Sequence, residues 1–235
     1  YTRGMQRRNI PTKLIMVGLF AFFAAFLLYP IWLTIQGGFE SENGGFTIHH
    51  IVTVFEDPVL LDGFLNALGI AVGTTFLCLI IALPLAVLSA KFIFPLKGLF
   101  SALVLVPLIL PPFVGAIGLH HLLGKYGAIN TLLVEAGWIS EGYDYIGNGG
   151  FWAIVFIEAL HLYPILYLNA TAALANLDPA LEEAAENLGA SSWRRFRQIV
   201  LPLIRPGLFA GATIVFIWSF TELGTPLMFD YQTVT

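Results

Sequence analysis

Five stretches of the chain stay apolar for long enough to cross a bilayer: residues 14–35, 64–90, 99–121, 151–175 and 207–228. The shortest is 22 residues long. A helix rises 1.5 Å per residue, so about 20 residues span a hydrocarbon layer of about 30 Å. None of the five has the polar stripe that a helix on a soluble protein keeps toward water. Their glycines and prolines are tolerated in a spanning helix when neighbours satisfy the freed backbone groups. The pattern predicts an all-α, polytopic membrane bundle with five visible spans. Pro107, Pro111 and Pro112 interrupt the third, either as a static kink or as a hinge.

Composition agrees: 57% of the 235 residues are hydrophobic and 11% charged, against about 25% charged in soluble domains. Mean hydropathy is +0.82. The first apolar stretch is too long for a signal-peptide core, and no small-x-small cleavage site precedes the acidic loop after it, so it reads as a retained span. Cys78 is the single cysteine, falls inside the second span and reads as a small core residue. Trp32, Trp138 and Trp152 near span ends fit an interfacial belt.

Charge placement sets a topology. Arg3, Arg7, Arg8 and Lys13 precede the first span, Lys91 and Lys97 flank the turn between the second and third, and Arg194, Arg195, Arg197 and Arg205 lie between the fourth and fifth. The connection 36–63 carries no Lys or Arg but holds Glu40, Glu42, Glu56, Asp57 and Asp62. Only Lys125 falls on that second side. The positive-inside rule makes the basic side cytoplasmic, with the amino terminus and segment 178–206 both inside.

Segment 178–206 is the most polar stretch between two spans. Asp178 is suited to cap a helix, and Pro179 to occupy its first turn. Leu181, Ala184, Ala185 and Leu188 recur at helical spacing and form one apolar face, with Glu182, Glu183 and Glu186 beside it. Gly189 is placed to end that helix in a left-handed conformation. Ser191 or Ser192 can cap a second helix bearing Trp193, Phe196, Ile199 and Val200, with Arg194, Arg195 and Arg197 at the polar level. Pro202 and Pro206 are expected to stop this second helix and begin the fifth span. On composition alone the segment is either a lever that docks on a partner or an amphipathic helix that anchors the loop at the interface.

The run Glu183-Ala184-Ala185, three residues, Gly189, nine residues, Ile199-Val200-Leu201-Pro202 resembles the EAA loop of binding-protein-dependent ABC import permeases. Asn66-Ala67-Leu68 at the start of the second span, and Gly124 to Leu133 between the third and fourth, are also similar to that family. The resemblance covers about residues 66–228. It implies a MetI-like permease core and an ATPase-coupling role for Glu183, Ala184, Ala185, Gly189, Ile199, Leu201 and Pro202. It implies cytoplasmic ABC ATPase subunits, a periplasmic or extracellular solute-binding protein and a second permease half, fused or separate, as partners in a bacterial inner membrane. No nucleic acid and no cofactor is implied. The expected organisation is a tail, first span and acidic loop over 1–60, then the permease domain over 61–235. The family core normally ends with one further span, so the chain is expected to be a fragment.

No Gly-x-x-x-x-Gly-Lys-Ser/Thr run occurs, so the chain is not expected to bind or hydrolyse ATP itself. Leu160-His161-Leu162-Tyr163-Pro164 and Trp218 to Pro226 look most like the ferric-iron branch of the family, with polyamine, thiamine, sulfate and phosphonate importers close by. Glu158, His161, Tyr163 and Glu222 are the candidate pathway residues. Glu158 and His161 share a helix face. A carboxyl at the depth of Glu158 must face water or a partner, so it either contributes to the pathway or holds the bundle together. No metal-ligand set is apparent. An energy-independent channel or carrier, or a non-transporting scaffold, has no use for such a loop and usually needs other features, such as coupling charges at midplane.

Overall fold

A computed structural model describes residues 9–41, 44–109, 111–145 and 150–228. Among them the fold is helical, as expected, and the only extended pairing is one isolated bridge, Glu40 with Phe46. The chain divides into two compact units, Tyr1–Leu61 and Asp62–Thr235.

In the first unit, α1 (Asn9–Phe23) and α2 (Tyr29–Phe39) join through a π-helical turn, Ala24–Leu28, into one membrane-length helix, Thr12–Phe39. Pro30 sits at the start of α2, where its missing N–H costs least. After the bridge, whose turn stacks Phe39 on Phe46, comes the short α3 (His49–Glu56).

The second unit is built on three long helices: α4 (Pro58–Lys91), which begins just before the unit boundary, α8 (Gly150–Ala175) and α11 (Leu201–Thr221). α8 is the most buried, and α4 and α11 lie against it. On α4 the stripe Ile70, Thr74, Cys78, Ala82, Ala86 is buried, and from Thr74 onward it is small. Gly69 and Gly73 let it approach α8 closely: a Cβ at either would meet Phe151 or Val155 at 3.2 Å. On α11 the stripe Ile204, Leu208, Gly211, Val215, Ser219 is buried. A Cβ on Gly207 would lie 2.7 Å from Ala173, and one on Gly211 3.0 Å from Asn169. This is small-xxx-small packing, in which association in lipid comes from close contact because lipid tails offer no hydrophobic drive.

Polar side chains tie the helices at two levels. The Tyr167 hydroxyl donates to Ser89 Oγ at 2.7 Å, and Cys78 Sγ donates to the Ala159 carbonyl at 3.5 Å. Glu158 lies between α4 and α11, its Oε2 accepting from Ser219 Oγ and, at 3.4 Å, from Thr74 Oγ1.

The third apolar stretch is not one straight helix. α5 (Lys97–Leu105) runs into a 3-10 turn, Val106–Ile109, and a new helix, α6 (Pro112–Leu123), follows; the arms Lys97–Ile109 and Val114–Glu135 meet at a bend of 97°. Pro111 precedes α6 in an extended conformation and Pro112 opens it. A proline lacks the donor for the preceding turn and drives the residue before it out of helical geometry, so consecutive prolines end one helix and start another. The chain therefore has four unbroken membrane-length helices and one broken pair among the described residues. Beyond α6, α7 (Ala128–Glu135) and its flanks are pinned by buried Asn130. Its Nδ2 donates to the Gly124 and Tyr143 carbonyls, at 2.9 and 2.6 Å, and its Oδ1 accepts from Tyr143 N.

Candidate functional site: the polar lever between the fourth and fifth spans

α9 (Pro179–Asn187) starts as its residues dictate: the Asp178 carboxylate accepts from Ala180 N at 2.9 Å and Pro179 follows at the first helical position. It ends at Gly189, whose φ is +80°. Gly189 N donates to the Glu186 carbonyl at 2.8 Å, and Ala190 N to the Ala185 carbonyl at 3.0 Å. These two bonds are the pair of a Schellman motif, which satisfies carbonyls that the helix end would leave open. Ser191 caps what comes next, accepting from Arg194 N.

The second arm differs from the expected one. α10 (Ser192–Arg195), a π-helical turn (Phe196–Val200) and α11 form one continuous helix over Ser192–Thr221. Pro202 and Pro206 lie inside it and do not stop it. Pro202 falls two residues after the π turn's last residue, next to Leu201, whose N–H donates to the Phe196 carbonyl five residues back. The wider turn gives the backbone room for the missing donor. As a consequence, the lever's second arm and the fifth span are one rod. The span's helix ends at Thr221, and Glu222 and Leu223 separate it from α12 (Gly224–Met228).

The seven residues assigned to coupling fall into three groups. Ala185 and Ile199 line a cleft of about 240 Å³ between the two arms, with Leu188, Ala190, Arg194 and Gln198. Glu183, Ala184 and Gly189 are exposed on the outer side of the first arm. Leu201 and Pro202 are half-buried in the rod below. Leu188 projects almost fully, 88% exposed, a large apolar side chain on a polar segment.

Two ion pairs hold the lever, and neither was apparent from the sequence. Lys91, the last residue of α4, donates to both carboxylate oxygens of Glu182, at 2.6 and 2.5 Å. Arg195 pairs with Glu186 across the two arms, and its other terminal nitrogen donates to Ser192 Oγ. Lys91 and Glu182 are 91 positions apart, beyond the reach of any local pattern. The pair links the second span to the lever. Both side chains are nearly a third exposed, so its worth to stability is about 0.2–1 kcal/mol. Lys91→Glu should lower stability by up to about 1 kcal/mol, and adding Glu182→Lys should recover most of it. Unfolding midpoints of the two single variants and the double one read this; a double variant as poor as the worse single one removes the link.

The four candidate pathway residues separate. His161 and Tyr163 line a cavity of about 480 Å³ between α8 and the broken pair, with Pro107, Pro111 and Gly115 on the facing side. Glu158 does not line it; it is 1% exposed. Glu222 sits past the end of α11 and accepts from Gly224 N at 3.1 Å. Among the described residues no group of His, Cys, Asp and Glu could hold a metal ion.

The family model for the binding-protein-dependent transport system inner membrane component matches residues 79–231. A spermidine/putrescine transport system permease protein, PotB, of Haemophilus influenzae is 28% identical over 211 residues, covering 87% of this chain and 73% of that one. A molybdenum transport system permease protein, ModB, of the same organism is 34% identical over 163 residues, covering 69% of each. A putative ferric transport system permease protein, FbpB 1, also of that organism, is 32% identical over 183 residues; these are 77% of this chain but only 27% of that protein. In fold, the chain is similar to a solved bacterial alginate ABC transporter in complex with its alginate pentasaccharide-bound periplasmic protein. The TM-score is 0.70 at 20% identity, over 97% of this chain and 80% of the other.

Proposed function

The chain belongs to the family of binding-protein-dependent transport system inner membrane components, and from that premise we propose that it is the permease subunit of an ATP-driven importer, oriented with its amino terminus and lever in the cytoplasm. The observation that carries the proposal is the lever: a capped helix, a left-handed glycine turn and a second arm continuous with a span. A partner that moves α9 acts through the Gly189 turn and the Arg195–Glu186 pair on the second arm, which is one rod with α11. The exposed outer side of α9, with Ala184 and Leu188 presented among acidic residues, is the face for the ATPase. The solute arrives from a binding protein on the opposite side, and a second permease half completes the passage.

For the cargo we propose a small ion, and within that class ferric iron. Support comes from the Leu160–Pro164 and Trp218–Pro226 runs and from the similarity to the ferric permease, while similarity to the molybdenum and polyamine permeases is of the same order. The passage needs no strong ligand set, because the binding protein holds the ion until release.

Affinity isolation from membranes tests both levels. An ATPase subunit should co-purify. The permease chain alone should hydrolyse no ATP, and hydrolysis should rise when loaded binding protein is added. The co-purified binding protein should hold iron. Molybdate or a polyamine on that protein, with iron uptake unchanged when the gene is lost, replaces the cargo and leaves the permease role; robust hydrolysis by the isolated chain, with contaminants excluded, removes the role.

A further inference from the structure

We propose that the groove where the basic end of α4 meets the lever's second arm binds one anionic phospholipid. The groove encloses about 870 Å³, within the roughly 300–1,000 Å³ typical of pockets for small organic ligands. One wall is Leu83, Val87 and Leu88 of α4; the other is Trp193 and Phe196, whose rings stack at 5.8 Å. Lys91, Arg195 and the carboxylate of Glu182 stand at its rim, with Pro84, Phe92 and Ser192.

The layout matches a lipid more closely than a soluble molecule. Leu83 lies eight residues before Lys91, about 12 Å along the helix, so the apolar wall descends from the charged level into the span. At that depth the medium beside the protein is hydrocarbon, and an apolar groove open to it takes an acyl chain. Trp193 stands at the boundary, where indoles favour the interface.

The rim selects for negative charge. Glu182 occupies Lys91 Nζ through two oxygens, and an ammonium has three protons to donate. Arg195 uses its two terminal nitrogens on Glu186 and Ser192, while its buried Nε has no acceptor. That Nε is closed to solvent, so a headgroup phosphate meets the guanidinium at the second N–H of its terminal nitrogens, as a charge-assisted acceptor. Segment 178–206 carries four acidic residues and four arginines, so Lys91 and Lys97 leave this end with an excess of positive charge. Anionic headgroups gather at such ends. A lipid seated there braces α4 against the lever, in parallel with the Lys91–Glu182 pair.

The proposal rests on the importer reading for the assembled complex and the side of the membrane, but lipid retention is read with no nucleotide, cargo or ATP hydrolysis, so the two fail separately. The assembled complex is placed in nanodiscs of phosphatidylcholine, phosphatidylglycerol of the same acyl chains is titrated in, and bound lipid is counted by native mass spectrometry. Phosphatidylglycerol should be retained about tenfold over phosphatidylcholine, as expected for two basic side chains on one headgroup. Lys91→Gln with Arg195→Gln should erase the preference, and Leu88→Trp should lower retention of both lipids by filling the groove. Equal retention of the two lipids by the unaltered complex, or an undiminished preference in the charge variant, overturns the site. A second reading does not depend on those variants folding. Brominated-chain phosphatidylglycerol should quench tryptophan fluorescence more than brominated phosphatidylcholine, and Trp193→Phe should remove the excess. Equal quenching by both lipids also overturns it.

Discussion

Replacing Gly189 with valine should lower uptake about tenfold, with the chain still inserted in the membrane at its usual level. The reason is backbone and not space. Nothing lies within 4 Å of where a Cβ would stand, so no neighbour needs to move. The φ of +80° is the obstacle. A left-handed conformation costs an ordinary L-residue about 1–2 kcal/mol, and a β-branched one is a genuine outlier there. Relieving the strain means giving up the bonds from Gly189 N to Glu186 and from Ala190 N to Ala185. Without them α9 no longer leaves the second arm at a fixed angle, and the cleft between Ala185 and Ile199 loses its shape. An energy of 1–2 kcal/mol in the docked geometry is about a five- to thirtyfold change in its population. Asparagine tolerates the left-handed region, so Gly189→Asn should keep most of the activity. Substrate uptake, together with co-purification of the ATPase, reads both variants. Wild-type levels of both in Gly189→Val would mean that the turn is not the pivot of the lever.

The lever's first arm was legible because each of its devices is local. An aspartate before a proline, three and four residue spacing of small apolar side chains and a glycine at the end can be read from a dozen consecutive residues. The second arm was misread at Pro202 and Pro206, for a physical reason. Pro202 falls in the first turn after the π turn at Phe196–Val200, and Pro206 lies inside the spanning helix as Pro84 and Pro164 do in theirs, where packed neighbours tolerate the lost bond. Apolar length found the spans, and Pro107, Pro111 and Pro112 marked the break in the third; only the size of the bend was out of reach, because length is blind to direction. The close packing of α11 on α8 is written in the sequence as Gly207-x-x-x-Gly211, two small residues one turn apart on the same helix face. The ion pair from Lys91 to Glu182 was not readable at all, since its partners meet only once the second span and the lever are both placed. Glu158 was ambiguous in the sequence for the same reason: whether a carboxyl in a span meets water or other helices depends on what packs against it.

In the fold, Glu158 meets other helices, and truncating it should damage assembly before it damages transport. Its Oε2 accepts from Ser219 of α11 and from Thr74 of α4, so one carboxyl group on α8 holds the second, fourth and fifth spans at one level. Glu158→Ala removes that acceptor, leaves two buried hydroxyls to find other partners and opens a cavity in the tightest part of the bundle. Together these cost about 2–4 kcal/mol, somewhat offset because Glu158 Oε1 is itself buried with no partner and would be gone. Glutamine keeps the shape and one acceptor oxygen, so Glu158→Gln should stay within about 1 kcal/mol of the wild type. Removing one donor, as in Ser219→Ala, should cost about 1 kcal/mol, and much less when combined with Glu158→Ala, because the two changes remove the same bond. The midpoint of thermal or denaturant unfolding of the purified complex measures each, and uptake normalised to folded protein in the membrane separates assembly from transport. For a residue that joins helices, normalised uptake stays near wild type in Glu158→Gln. A Glu158→Gln variant of unchanged stability that transports nothing would instead put the carboxylate on the path of the cargo, and the bonds to Ser219 and Thr74 would then belong to one state of a residue that must let go of them.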